Sequence, residues 1–372
     1  MIEILYSNIN TLKIIVFSIV NFILFIFYAK RKNKYLFYGN KVKLIFLFIL
    51  LIFFHTIFFS FKKVESLIEV YSTFSVITMI FLFLKLYGKL KVLKFYEKFI
   101  TFMCYYLIGS STIILLFFNS PAYYSSGNFL GLVSNSNTLG LYFVFMTPLL
   151  INKFFNHPGW RNKLFFKVLI LMDVIWIVFL TRSRTAFAVL LIILALFLFF
   201  NTKNTYKKFK LIFFSSIAAS IFIFTFTQAI TSYLVKNNKE NASLFMTREA
   251  LWGARIYAIT QKPYFGWGYT VNEFTEFVPG HENNKKEKGN LILAIFEEFG
   301  FIFGLIFFAI LYSIFKNAIN IYRYQKDKLY LSITIIAVIF HSMFETWVLN
   351  FYSFLAILFW LVILSAFQYK NS

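Results

Sequence analysis

Arg248, Trp252 and Arg255 are spaced i, i+4 and i+7 along a stretch that reads as an amphipathic helix. They therefore share one face, with two guanidinium groups about two turns apart. Arginine offers bidentate donors to phosphate oxygens and keeps its charge, and an indole can stack on the apolar face of a sugar, so the face suits a sugar diphosphate. The same spacing describes an ordinary solvated helix face. Arg182 and Arg184 stand in a tight turn between two apolar segments, where either an anionic ligand or lipid headgroups would answer their charge. His341 and Glu345 are four apart near the end of another apolar segment. There they could serve a common reacting partner or lock neighbouring helices together. His281, in the run Pro279-Gly280-His281-Glu282-Asn283-Asn284, has the pKa range of a general base for a hydroxyl, the alternative being a merely solvated loop histidine. Asp173 lies alone in an apolar segment and requires a polar partner or a proton, whereas His55 reads as a packing histidine and His157 falls away from all of these.

The elements that must position these groups are set by solvent. Of the 372 residues, 60% are apolar and 14% charged, with 55 phenylalanines, which a water-soluble domain does not show. A bilayer core about 30 Å thick needs about 20 apolar helical residues. Apolar runs fall at residues 12–29, 44–61, 67–84, 99–118, 129–151, 164–181, 185–200, 211–230, 291–315, 329–345 and 351–367. The first is followed directly by Lys30, Arg31 and Lys32 with no small-residue cleavage site, so it reads as a retained helix and not a signal peptide. The expected fold is an all-α polytopic integral membrane protein of about 11 transmembrane helices (10 to 12). It is expected to form one membrane domain over 1–372, with a large extracytoplasmic loop, 231–290, between helices 8 and 9.

Charge orients this array. Loops 30–43, 85–98, 152–167, 201–210 and 316–328 and the C-terminal tail carry 24 of the 37 basic residues and all fall on one side, which the positive-inside rule makes cytoplasmic. The N-terminus is then outside and the C-terminus inside. The net charge of +22 is thereby a matter of topology and headgroup attraction, and no nucleic-acid partner is expected. Within the long outer segment, Thr247 is the expected N-cap of the helix bearing Arg248, with Glu249 in its first turn. Pro263 ends the helical pattern, and Gly266 and Gly268 let backbone approach another surface closely.

Other chemistries lack their residues. The chain has no Walker loop, dinucleotide fingerprint, His-Glu-x-x-His or nucleophile elbow, and no repeat that would signal inverted transporter halves. The single cysteine, Cys104, excludes a disulfide framework and cysteine-based metal clusters. Glu297 and Glu298 are adjacent and cannot face each other across a glycoside, and Asn241-Ala242-Ser243 is a common chance triplet. No metal site and no cofactor are expected.

Four stretches, in order, resemble the O-antigen ligase and O-antigen polymerase superfamily of bacterial membrane glycosyltransferases. Gly131 through Gly140 looks like the family's Asn-rich approach to a helix, and Thr181-Arg182-Ser183-Arg184-Thr185-Ala186 is similar to its Ser-Arg turn, with Arg184 at the matching arginine. Arg248 through Gly268 resembles the run of arginine, tryptophan and a terminal Pro-x-x-Gly-x-Gly. Asn290 through Gly300 resembles the returning helix, whose pattern is His-Asn followed by Glu and a Gly-rich turn, and here Gly289 stands at the family histidine. The resemblance covers residues 128–350.

That likeness implies transfer of a glycan from an undecaprenyl-diphosphate carrier to a sugar hydroxyl at the outer face of the bacterial cytoplasmic membrane, without a nucleotide sugar. It implies Arg184, Arg248 and Arg255 at the diphosphate, and Trp252, Asn137 and Asn290 at the substrate. His281 or His341, with Glu345 beside it, would take the proton. The implied partners are the undecaprenyl-diphosphate-linked oligosaccharide and membrane lipid, together with flippase and chain-length regulator proteins. Repeat-unit polymerisation into capsular or surface polysaccharide is the preferred activity. Ligation of finished glycan to another acceptor, a lipid-linked sugar flippase or transporter, and a non-catalytic assembly scaffold are the rivals. The arrangement is checked by placing one cysteine at Asn283→Cys in a Cys104→Ala background. A membrane-impermeant maleimide added to intact cells is expected to label it, and labelling only after lysis would put residues 231–290 in the cytosol.

Overall fold

The computed structural model of the chain describes residues 2–30, 40–118, 123–125, 128–133, 135–156, 163–201, 246–269, 289–324, 328–347 and 353–367. These are helical except for short connections and one two-residue ladder, in which Tyr124 pairs with Phe129 and Ser125 with Asn128. The helices are α1 (Ile2–Lys30), α2 (Asn40–Phe59), α3 (Lys63–Tyr87), α4 (Lys89–Phe117), α5 (Ser136–Asn156), α6 (Leu164–Leu180), α7 (Arg184–Asn201), α8 (Met246–Gln261), α9 (Leu291–Tyr324), α10 (Leu329–Ser342) and α11 (Phe354–Phe367).

Ten of the apolar segments expected from sequence contain helices, although the expected 129–151 becomes helical only at Ser136, after strand residue Phe129, and segment 211–230 lies outside the described residues. Among the described residues, α2, α3, α4, α5 and α9 each contain a stretch long and apolar enough to cross a membrane, while α1, α7, α10 and α11 contribute shorter apolar stretches. This fits a polytopic membrane protein. α9 continues to Tyr324, well past the expected end at 315, and α10 stops at Ser342, short of the expected 345.

Contacts group the chain into two compact units, one of residues Met1–Glu97, Ala250–Lys326 and Ser342–Ser372, the other of Lys98–Glu249 and Asp327–His341. In the first, α3 is the central element, packed by α1, α2 and α11, and α9 lies on α2 and α11. Polar links tie α1 to α3, the Ser18 hydroxyl lying 2.6 Å from Tyr71 Oη and Asn21 Nδ2 donating to Ser75 O at 2.9 Å. Inside an apolar solvent such bonds have no competing water. In the second unit α5 is central. Phe143, Val144, Phe145 and Met146 are four consecutive residues with no exposure, so α5 is covered on every side. Asp173 finds its partner here, since the Thr112 hydroxyl lies 2.6 Å from its Oδ2.

α9 is interrupted. Gly300 has φ 64° and ψ −174°, a region open essentially only to glycine, and it breaks the bonds a continuous helix would run from 301 to 297 and from 302 to 298. The loop after α8 fills the gap from both directions. Trp267 N–H donates to Glu297 O (2.8 Å) and Gly268 N–H to Glu298 O (2.9 Å), while Phe301 N–H donates to Pro263 O (2.8 Å) and Ile302 N–H to Tyr264 O (3.3 Å). Two lost helical bonds are thus replaced by four bonds to the loop, so the peptide groups of 297, 298, 301 and 302 keep partners in a water-poor interior.

Glycine is demanded on both sides of this contact. A Cβ on Gly266, itself at φ 68°, would lie 2.6 Å from the Glu298 carbonyl and from Gly300 N, and one on Gly300 would strike the Tyr264 carbonyl. The close approach anticipated for the Gly266–Gly268 run is therefore to the break in α9. Gly300→Ala is expected to destabilise the protein by on the order of 3 kcal/mol, through the disallowed backbone region and the backbone clash. In contrast, Gly109→Ala inside α4, where a Cβ meets nothing within 4 Å, should leave the melting temperature of detergent-purified protein equal or slightly higher.

Candidate functional site

α8 is the amphipathic helix expected from sequence, and its polarity shows where Arg255 belongs. Leu251, Arg255 and Ala258, spaced i, i+4, i+7, form the buried stripe, while Gly253, Ile256, Tyr257 and Thr260 are exposed. Met246, where the described residues resume, is already helical, so Thr247 lies within the helix and is not the N-cap that sequence suggested. Trp252 is half-buried one turn before Arg255, and Arg248 lies two turns before it on the same helix, its side chain outside the described residues.

Arg255 has no exposed surface, and its Nη1 donates to Oε2 of Glu297, which is 1% exposed. In the structure the Arg255 guanidinium, expected at the diphosphate, is engaged in a buried ion pair. Glu298 is buried as completely as its neighbour. The carboxylate of Glu297 is the residue that sequence reasoning missed. Its signal was present, because an acid within an apolar run requires a basic or polar partner. Identifying that partner required spatial information, since the pair is 42 residues apart.

The loop beyond α8 is fastened on three sides. Trp267 Nε1–H donates to Ala258 O at 2.9 Å, returning the loop to its own helix, and the Lys262 ammonium lies 4.0 Å from the centre of the Trp267 ring. The Phe265 ring stacks on Phe59 with centroids 4.1 Å apart. His55 Nε2–H donates to Phe265 O at 2.5 Å, and its ring meets Phe303 edge-on at 4.7 Å. His55 is thus a buried packing histidine that also holds the loop. Tyr269 closes the segment, its carbonyl accepting from Ser66 Oγ (2.7 Å) and its ring stacked on Phe299. The cavity beside it, between α2, α3, α9 and α11, measures about 30 Å³, room for little beyond a single water.

In the other unit, Asn135 caps α5 by accepting from the Asn137 N–H at 2.8 Å, so Asn137 lies half-buried in the first turn. Gly140 one turn later faces the start of α7, where a Cβ would come within 2.7 Å of Ala186 Cβ and 3.2 Å of Ser183 Cβ. Small residues let the two backbones meet. The α6–α7 turn is held by Thr181, whose hydroxyl donates to Val178 O and accepts from Ser183 N–H, and by Arg182 at φ 52°. Arg182 is exposed and Arg184 half-buried at the first position of α7.

The remaining residues divide as follows. Asn290 is the N-cap of α9, its Oδ1 accepting from the N–H groups of Ile292 (2.9 Å) and Leu293 (3.1 Å). His341 is fully buried at the end of α10. Glu345 follows a turn after that helix has ended at Ser342, which removes the shared helical face that their spacing suggested. His281 lies outside the described residues.

Membrane-length apolar helices, a broken helix and a buried Arg–Glu pair beside it define a polytopic helical membrane protein with a built ionic centre. Residues 168–309 match the model of a protein family described as O-antigen ligase. The match supports membership of the O-antigen ligase and polymerase superfamily. It takes in the Arg184 turn, the Arg248–Gly268 run and the Asn290–Gly300 helix, three of the four stretches that carried the resemblance. No curated protein matches the chain. A ligase- or polymerase-type role in glycan transfer, on lipid-linked oligosaccharide, is the function class this family supports.

The α5–α7 contact gives a direct check on how Arg184 is placed. Gly140→Val is expected to cost about 1–3 kcal/mol by overpacking against Ala186 and Ser183. Limited proteolysis should then cut near residues 181–184 faster than in the parent protein.

Proposed function

We propose that the chain polymerises undecaprenyl-diphosphate-linked oligosaccharide repeat units into a capsular or other surface polysaccharide at the outer face of the cytoplasmic membrane. The observation that carries this reading is the O-antigen ligase match over the stretch containing the Arg184 turn, α8 and the broken helix. The distribution of basic loops supports an outer location for residues 231–290, with the N-terminus outside and the C-terminus inside.

In this reading the acceptor hydroxyl attacks the anomeric carbon of the donor glycan. The bond from that carbon to the carrier diphosphate breaks as the new glycosidic bond forms, with inversion in a single displacement. Negative charge grows on the departing diphosphate, and fixed guanidinium groups stabilise it without reorganising. Arg184 and Arg248 are assigned this task. Trp252 offers its ring to a sugar face, and Asn137 and Asn290 complete the substrate contacts. The hydroxyl proton passes to a histidine. His281 and His341 are the two candidates to accept that proton.

Ligation to a different acceptor is the rival supported by the same match, because the family description names a ligase. Purified protein incubated with a diphosphate-linked oligosaccharide separates the two. A polymerase returns a ladder of longer lipid-linked products from donor alone, and a ligase leaves the donor unextended until its own acceptor is supplied. Arg184→Lys and Arg248→Lys keep the charge but lose the bidentate fork, so each is expected to lower the rate by 10-fold or more with membrane insertion intact. Unchanged ladders in both variants would remove the diphosphate assignment.

A further inference from the structure

Arg255 and Glu297 call for a reason beyond stability. Both are buried, and a buried ion pair contributes little net stability compared with an apolar pair of the same size, because desolvation offsets the attraction. The pair nevertheless lies in a closed circuit of contacts. The Glu297 side chain holds Arg255; Ala258, one turn further along α8, accepts the Trp267 indole N–H; and the Trp267 backbone N–H returns to the Glu297 carbonyl. Glu297 thus grips the α8 hairpin by side chain and main chain at once. Leu251 and Ala258 bring only non-directional side-chain packing to the buried stripe, whereas the guanidinium–carboxylate bond fixes orientation as well as distance.

We infer that Glu297 is a positioning residue that acts through Arg255 to set the register of α8, and with it the placement of Arg248 and Trp252 toward the lipid-diphosphate donor. This rests on the glycan-transfer reading above, and it takes Arg255 out of direct contact with the diphosphate. Arg248 and Trp252 lie about 10 Å and about 4.5 Å along the helix axis from Arg255. A small rotation or shift of α8 about its anchored C-terminal loop moves both, and a misplacement of about 1 Å can already cost 100-fold in rate.

The test uses the full chain with Cys104→Ala and spin labels at Ile256→Cys on α8 and Leu305→Cys on α9, both exposed positions. The parent protein is expected to give one narrow distance distribution. Glu297→Gln and Arg255→Lys should each broaden or shift it and lower transfer by 10-fold or more. The paired variant Arg255→Gln/Glu297→Gln, whose two amides can bond without charge, should restore the narrow distribution and bring transfer to within about 10-fold of the parent. A direct diphosphate contact predicts the opposite pattern. Glu297→Gln would then keep the parent distribution and activity, and the Gln/Gln pair would stay inactive because its guanidinium is gone; either result overturns the inference. Where a single variant fails to fold, the Gln/Gln pair alone decides, since its inactivity with a parent-like distance is the overturning result. If the parent itself transfers no glycan, the function reading fails, while the distance measurement still judges the register role independently.

Discussion

The break at Gly300 and the loop that fills it constitute the interaction on which the first unit depends. A helix interrupted in an apolar setting leaves peptide groups that lipid cannot satisfy, at several kcal/mol for each group left without a partner. Here the Pro263–Gly268 backbone supplies donors to Glu297 and Glu298 and acceptors to Phe301 and Ile302. The loop completes the hydrogen bonding of α9, and α9 in turn holds the loop. Every other fastening of the loop follows from that constraint, from the His55 hydrogen bond to the stacking of Phe265 on Phe59.

The ionic centre sits beside this break. The residue whose carbonyl accepts from the loop also provides the carboxylate that receives Arg255, so the charge pair and the backbone exchange share one anchor at Glu297. Local helix disruption, a buried acid and a returning loop form a single device, which orients α8. The second unit solves its own positioning problem by different means. There, Gly140 permits α5 and α7 to touch, and a three-residue turn with Arg182 in the left-handed region brings Arg184 onto the first turn of α7.

Much of this was legible in the residues. Apolar runs located ten of the helices, since membrane-length helices announce themselves by local composition. The glycine run after Pro263 signalled a close backbone approach, though not to what. Asp173 signalled an unmet need for a partner, answered by Thr112 on α4. Helix spacing was less informative. It placed Arg255 with Arg248 and Trp252 on one face, because periodicity identifies a shared face and not what that face meets, and in the structure Arg255 meets Glu297. It paired His341 with Glu345 across a helix end that carries no proline or glycine signal.

Sequence alone determined the solvent, the helix positions and the family likeness, because hydropathy and motif order are properties of neighbouring residues. Tertiary structure decided which carboxylate answers Arg255, where α9 breaks and what closes the gap. Those outcomes depend on groups tens of residues apart, and only the folded chain brings a loop carbonyl or a distant acid within hydrogen-bonding reach.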